Sequence, residues 1–173
     1  HFSTSSGSSL NASLRGIKLK VVYVNLDRPL YRLWSWRDEI RKVTDLRGRA
    51  IGVASRGDTM EGAANLLLRK YGMDPMRDVI WVALGTAGRL TSLISRTVDS
   101  AVLGFADSHL LQTRGYSVHE VADIGKEIKM LYTGLATSED LLMKRPDLVR
   151  RFIRATVKGR EFLKRNKSQS LVL

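Results

Sequence analysis

The amino-acid sequence predicts an α/β fold, a parallel-rich sheet flanked by helices, with one complete lobe and part of a second. Three observations carry that expectation. Residues 43–123 alternate short apolar runs with stretches of helical spacing, giving three strand-then-helix units, the pattern that parallel pairing and right-handed crossovers produce. The runs lack polar alternation, as strands covered on both faces do. The length of 173 residues suits one lobe-sized core and is too short for two lobes of roughly 100 to 150 residues each.

Each element has a local reason. Ser3 to Ser9 is Ser/Gly-rich, and two readings of it stay open: a tail, or a binding loop in which Ser5 and Ser6 face a ligand while Ser8 caps a short helix ending at Gly16. Leu19 to Val24 and Leu30 to Trp36 are β-branched and aromatic, hence strands, separated by the turn-like Asn25-Leu26-Asp27-Arg28-Pro29. The charged stretch Arg37 to Lys42 follows as a crossover. Ile51-Gly52-Val53-Ala54 is the first apolar strand of the repeated units. Its helix shows Met60, Ala63, Ala64, Leu67, Leu68 and Tyr71 at helical spacing, with Asp58 and Glu61 in a capping-box arrangement and Gly72 at the far end. Val79 to Leu84 is the second strand, followed by a helix through Leu90, Leu93 and Ile94. Ser100 to Leu103 is the third, running into a helix over Phe105 to Arg114. Val118 to Val121 reads as a fourth strand, Leu131 to Thr137 as a returning one, and Pro146 opens an amphipathic helix through Leu148, Val149, Phe152, Ile153, Thr156 and Leu163.

The formal net charge of +12 invites a nucleic-acid reading until it is divided along the chain. Residues 1–42 hold 8 Lys/Arg against 3 acids, 43–125 hold 9 against 9, and 144–173 hold 10 against 2. The central lobe is neutral, and the excess belongs mainly to the wet face of the last helix. A nucleic-acid footprint needs aromatic or amide side chains interleaved with the charge, and no RRM, KH, zinc-finger or helix-turn-helix pattern is present. Nucleic acid is therefore not an expected partner. No apolar run has the length of a membrane span. With no Cys, disulfides, thiolate metal sites and Cys nucleophiles are excluded.

Four stretches in register carry a resemblance. They are Asp45-Leu46-Arg47-Gly48-Arg49-Ala50-Ile51-Gly52-Val53, Gly72-Met73-Asp74-Pro75, Arg96-Thr97-Val98-Asp99-Ser100-Ala101-Val102-Leu103, and Pro146-Asp147-Leu148-Val149-Arg150-Arg151-Phe152-Ile153-Arg154-Ala155. Their order and spacing resemble the NMT1/THI5-like, SsuA-type solute-binding proteins of ABC importers. The resemblance implies a type II periplasmic-binding-protein fold, two α/β lobes with a ligand between them, and hinge closure. It assigns 1–42 to lobe I, 43–125 to lobe II, and 126–173 to the return crossover and lobe I helices. It also implies an extracytoplasmic, periplasmic location and an ABC permease as membrane partner. Measured against that pattern, an initial strand and helix and the closing helices are missing. The expectation is a mature or cut-down product that begins at His1-Phe2, with a homodimer as one way to cover the apolar faces left open.

The expected function is capture of a small organic, anionic solute, without a cofactor or metal. Arg56, Gly57, Asp58 and Thr59 lie at a strand-to-helix joint, where a guanidinium, an amide, a hydroxyl and the helix N-terminus converge on an anion. The alternative keeps Arg56 paired with Glu61 and leaves Gly57-Asp58-Thr59 as ordinary capping. Gly104, Phe105 and Asp107 form the second joint. Phe105 and Trp36 are candidate apolar walls, against the alternative that each is core, and Asp107 also reads as a first-turn helix acid. His1, His109 and His119 lack the spaced partners of a triad or metal site, so no enzyme is expected. Thiamine-pyrimidine synthases of the same superfamily need a Cys-rich iron motif that this chain lacks. A sensory effector domain of a regulator with the same fold is the alternative function.

Overall fold

The computed structural model describes residues 2–4 and 6–170. In chain order the described residues form β1 (Phe2–Ser3), α1 (Ser6–Leu14), β2 (Leu19–Leu26), β3 (Arg32–Ser35), a 3₁₀ turn (Val43–Leu46), β4 (Ala50–Val53), α2 (Thr59–Lys70), β5 (Ile80–Ala83), α3 (Gly85–Ile94), β6 (Ser100–Leu103), α4 (Phe105–Arg114), β7 (His119–Asp123), α5 (Ile124–Glu127), β8 (Thr133–Ser138), α6 (Glu139–Lys144), α7 (Pro146–Arg165) and α8 (Lys167–Ser170). They divide into two units, His1–Leu26 with Tyr132–Leu173, and Asp27–Leu131.

The second unit is built on a five-stranded sheet of order β5-β4-β6-β3-β7. β4 pairs in parallel with both β5 and β6, as the apolar runs predict. Ile51, Val53, Val79, Ala101 and Leu103 are buried. Trp81 is only half-buried because β5 is an edge strand, and its indole N–H donates to the Pro75 carbonyl at 2.8 Å. Apolar side chains fill both faces of the sheet: Ile51, Val53, Leu67, Leu68 and Val102 on one, Trp34, Leu93, Ala101, Leu103 and Leu111 on the other. The predicted cap of α2 is present, the Asp58 carboxylate accepting from the Glu61 N–H at 2.8 Å.

The placement of β3 differs from the sequence expectation. The sequence expectation assigns residues 1–42 to the first lobe, yet β3 lies between β6 and β7 in the second unit and runs antiparallel to both. The reason is two-sided burial. Leu33 joins one core and Trp34 the other, so this strand fits only inside a sheet covered on both faces. The Trp34 indole N–H donates to the buried Ser108 hydroxyl at 3.0 Å and ties β3 to α4.

The first unit has a three-stranded antiparallel sheet of order β1-β8-β2. Gly134 in β8 is required there: a Cβ would lie 2.1 Å from the Tyr23 carbonyl oxygen and 2.7 Å from the Ser6 hydroxyl. Along the 20 residues of α7 only Val149 is buried, and Phe152 stacks on Phe2 with ring centroids 4.1 Å apart.

Two expectations follow. Gly134→Ala forces backbone apart and lowers stability by at least about 2 kcal/mol in urea titration, since overpacking a tight site commonly costs 1–3 kcal/mol. In the second unit Lys70 bonds the Glu127 carboxylate, and this hydrogen bond holds the Glu127 carboxyl below its ordinary value. A depressed carboxyl stabilises above its unfolded value, roughly 4.3, and that contribution is lost as pH falls through the folded one. Between pH 5 and 3 the Glu127→Gln variant should therefore lose less stability than the parent chain.

Candidate functional site

In the second unit β4, β5 and β6 all end at one edge of the sheet and turn there into α2, α3 and α4. Helix N-termini with unpaired amides collect at such an edge, where open α/β sheets take their ligands. Two of the predicted joints meet here, Arg56 to Thr59 after β4 and Gly104 to Asp107 after β6.

The first joint is closed on itself. Arg56 Nη2 lies 3.1 Å from Glu61 Oε1 and Arg56 Nε lies 3.2 Å from both carboxylate oxygens. The Gly57 N–H donates to Glu61 Oε2 at 2.5 Å, with Gly57 at φ +77°, a left-handed turn that favours glycine. The Glu61 side chain is 5% exposed and that of Arg56 is 48% exposed. An internal carboxylate thus takes the amide and the guanidinium contacts at this joint, while Arg56 keeps an open flank. Asp58 is occupied by capping, accepting from the Ser55 and Glu61 N–H groups. Thr59 is the first residue of α2.

The second joint is open. Gly104 is the N-cap of α4. Phe105, its first residue, is 67% exposed and stacks nearly parallel on His109 at 6.4 Å. Phe105 also walls a hollow of about 180 Å³ with Arg28, Pro29, Leu30, Arg32, Asp123, Gly125 and Lys126. Arg28 Nη1 donates to the carbonyls of Gly125 and Lys126 at 3.0 and 3.2 Å. Arg32 is paired with Glu120 at 3.2 Å and with Asp123 at 3.5 Å. Three cations and one acid line this hollow, and Lys126 lies 3.8 Å from Asp123; with Glu120 counted beside Arg32 the cluster keeps a net charge of one positive unit, carried by three cations against two acids.

Asp107 faces the buried side of α3. Its Oδ2 lies 3.6 Å from Arg89 Nη2, and the Arg89 side chain is 4% exposed. Arg89 Nη1 donates to the Val102 carbonyl at 3.0 Å and contacts the Met60 thioether at 2.7 Å, while its Nε is buried without a partner. This guanidinium links α2, α3, β6 and α4 behind the edge.

Trp36 is not brought to this edge. β3 is antiparallel to β6 with Ser35 opposite Ser100, so Trp36 lies at the amino ends of the parallel strands, a four-residue strand or roughly 13 Å away. There its indole N–H donates to the Val98 carbonyl at 2.7 Å, and the Arg37 and Arg96 guanidinium groups cover the ring at 4.4 and 5.1 Å. Ser6 belongs to the first unit, fully buried at the start of α1, its hydroxyl without a hydrogen-bond partner. Ser5 lies outside the described residues.

Arg28, Arg32, Lys126 and Arg89 were not singled out from the sequence. Arg89 carried a readable signal: it stands four residues before Leu93 on the apolar side of its helix, where a charge is out of place. The other three come together only when β3 enters the sheet in reverse.

The NMT1/THI5-like family model matches residues 2–170. The chain belongs to that family. It is 29% identical to the riboflavin-binding protein RibY of Chloroflexus aurantiacus over 161 residues, which cover 91% of this chain and 45% of RibY. Among solved structures it is similar to the periplasmic aliphatic sulphonate binding protein SsuA of Escherichia coli, with a TM-score of 0.80, 16% identity, and coverage of 93% of this chain and 55% of SsuA. The alkanesulfonate-binding SsuA of Xanthomonas axonopodis pv. citri, bound to MOPS, gives a TM-score of 0.78 at 19% identity, covering 98% and 57%. These likenesses establish the periplasmic-binding-protein fold. The chain spans about half the length of these relatives.

Arg89 supplies the expectation for this site. Replacing only one member of a charged pair leaves the other uncompensated, and here the change also takes the donor from the buried Val102 carbonyl. Arg89→Met should therefore unfold in urea below the parent's midpoint; an equal or higher midpoint would show that the desolvation of the charge outweighs its bonds to the Val102 carbonyl and Asp107.

Proposed function

We propose that this chain is the solute-binding part of an ABC importer, which captures a small organic anion outside the cytoplasm and delivers it to a membrane permease without turning it over. The observation that carries this reading is the family match across residues 2–170. The sulfonate- and riboflavin-binding names of similar proteins support a small organic solute. The cationic hollow beside Phe105 supports an anionic head group with a planar or alkyl body, held by charge on one side and by the ring on the other. Arg56, Thr59 and Gly104 border the proposed site along the same edge, with Arg56 reaching the solute by its open flank, while Gly57, Asp58 and Asp107 support it from behind through Glu61, the α2 cap and Arg89. The permease enters this reading as a membrane partner; no helix among the described residues is long and apolar enough to cross a membrane. A second copy pairing along the free edge of β2 is the homodimer we propose, since bare edges seek strands.

Native mass spectrometry of the protein taken from its expression host identifies a retained solute, and calorimetric titration with alkanesulfonates, MOPS and riboflavin ranks the classes. Arg56→Ala and Phe105→Ala should each weaken the best solute at least about tenfold, equivalent to about 1.4 kcal/mol, with melting temperature nearly unchanged. Equal affinity in both variants removes this edge from the site. Absence of binding to every member of the panel, with no retained solute, removes the transport reading.

A further inference from the structure

The largest hollow described lies within the first unit, between one face of its sheet and α7, with a volume of about 690 Å³. That is the size of a small-molecule site, for which roughly 300–1,000 Å³ is usual. Its floor comes from β2 and β8. Tyr23 is opposite Leu135, and strand alternation puts Thr133 on the same face as Leu135. The Thr133 hydroxyl is buried and has no hydrogen-bond partner, a state that native interiors seldom leave unexplained.

The wall comes from α7. Arg160 Nη1 donates to the Tyr23 hydroxyl at 3.2 Å, which fixes a guanidinium over the floor. Leu163 and Lys164 lie one turn further along the same side. The charged residues lining the hollow are Arg160, Lys164 and Lys167, with no acid among them. The Tyr23 ring and Leu163, a cationic wall, and an unused hydroxyl on a floor that also carries Asn25 are complementary to one class of molecule.

We propose that this hollow binds an anionic amphiphile: a carboxylate, sulfonate or phosphate on an apolar body. Arg160 and Lys164 hold the head group, the Thr133 hydroxyl donates to it, and the body lies on Leu163 and the Tyr23 ring. This site is separate from the carboxyl edge of the second unit and does not depend on which solute binds there.

The test uses the 173-residue chain and 8-anilinonaphthalene-1-sulfonate fluorescence, with octanoate, octanesulfonate, octyl phosphate and neutral octanol as competitors. The expected result is a saturable site that Leu163→Trp abolishes, displaced by the octyl anions and not by octanol, any binding at the carboxyl edge of the second unit being told apart by its loss in Arg56→Ala; the ranking of the three anions identifies the head group. Arg160→Glu should weaken binding at least tenfold, and Arg77→Glu, an equal charge change at an exposed position of the second unit, should leave it unchanged. Leu163→Trp fills the hollow without altering charge and should block binding as well, so the proposal stays testable if circular dichroism shows Arg160→Glu to be unfolded. Amide shifts on titration should centre on Tyr23, Thr133 and Leu163. Unsaturable binding, equal competition by octanol, or full affinity in Leu163→Trp overturns the proposal. So does dye binding that falls as light scattering reports self-association, which would assign this face to a second copy of the chain.

Discussion

A strand inserted in reverse between two parallel neighbours fixes what meets at the carboxyl edge of the second unit. Because β3 runs against β6 and β7, its amino end lies beside their carboxyl ends, with Arg32 opposite both Leu103 and Asp123. The segment that precedes it, Arg28 to Leu30, is thereby set next to Phe105. Reversal sends the other end of the strand, and Trp36 with it, to the far side of the sheet. The insertion is held by burial on both faces and by the Trp34 to Ser108 bond. A polar substitution at Leu33 or Trp34 would act on this edge through register, at a distance from its side chains.

Charge at that edge is arranged in two depths. Glu61 and Arg89 are buried, and a buried charge persists only when paired and hydrogen-bonded. Glu61 meets that condition through Arg56 and the Gly57 amide, so it organises a loop and contributes little net field. Arg89 meets it in part, through Val102 and a long pairing with Asp107. The outer layer, Arg28, Arg32 and Lys126 against Asp123, faces the hollow. In the proposed site the outer layer is the one that would face an anion, while the inner one sets where the helices begin.

Much of this was legible in the sequence where the signal is local. β6 at Ser100–Leu103 and α4 at Phe105–Arg114 coincide with the runs read from spacing, and Asp58 caps α2 as its position before Glu61 predicts. What was not legible depends on pairing between distant residues. Leu30 to Trp36 reads as a strand, but nothing in those residues says which sheet accepts it or in which direction. Arg28 meets Gly125 across 97 positions, a separation that no local pattern spans. The choice between an anion cradle and an internal pair at Arg56 likewise turned on how deeply Glu61 is buried, which is a property of the packed loop.

The division of the chain also separates its chromophores. Trp34, Trp36 and Trp81 are the three tryptophans, and all belong to the Asp27–Leu131 unit, one in the core, one beneath two guanidinium groups and one on an edge strand. The other unit holds Tyr23 and Tyr132 and no indole. Indole emission is consequently blind to the first unit, and far-ultraviolet dichroism sees both. If the two signals part company during denaturation, the interval between them measures how independently the two units melt.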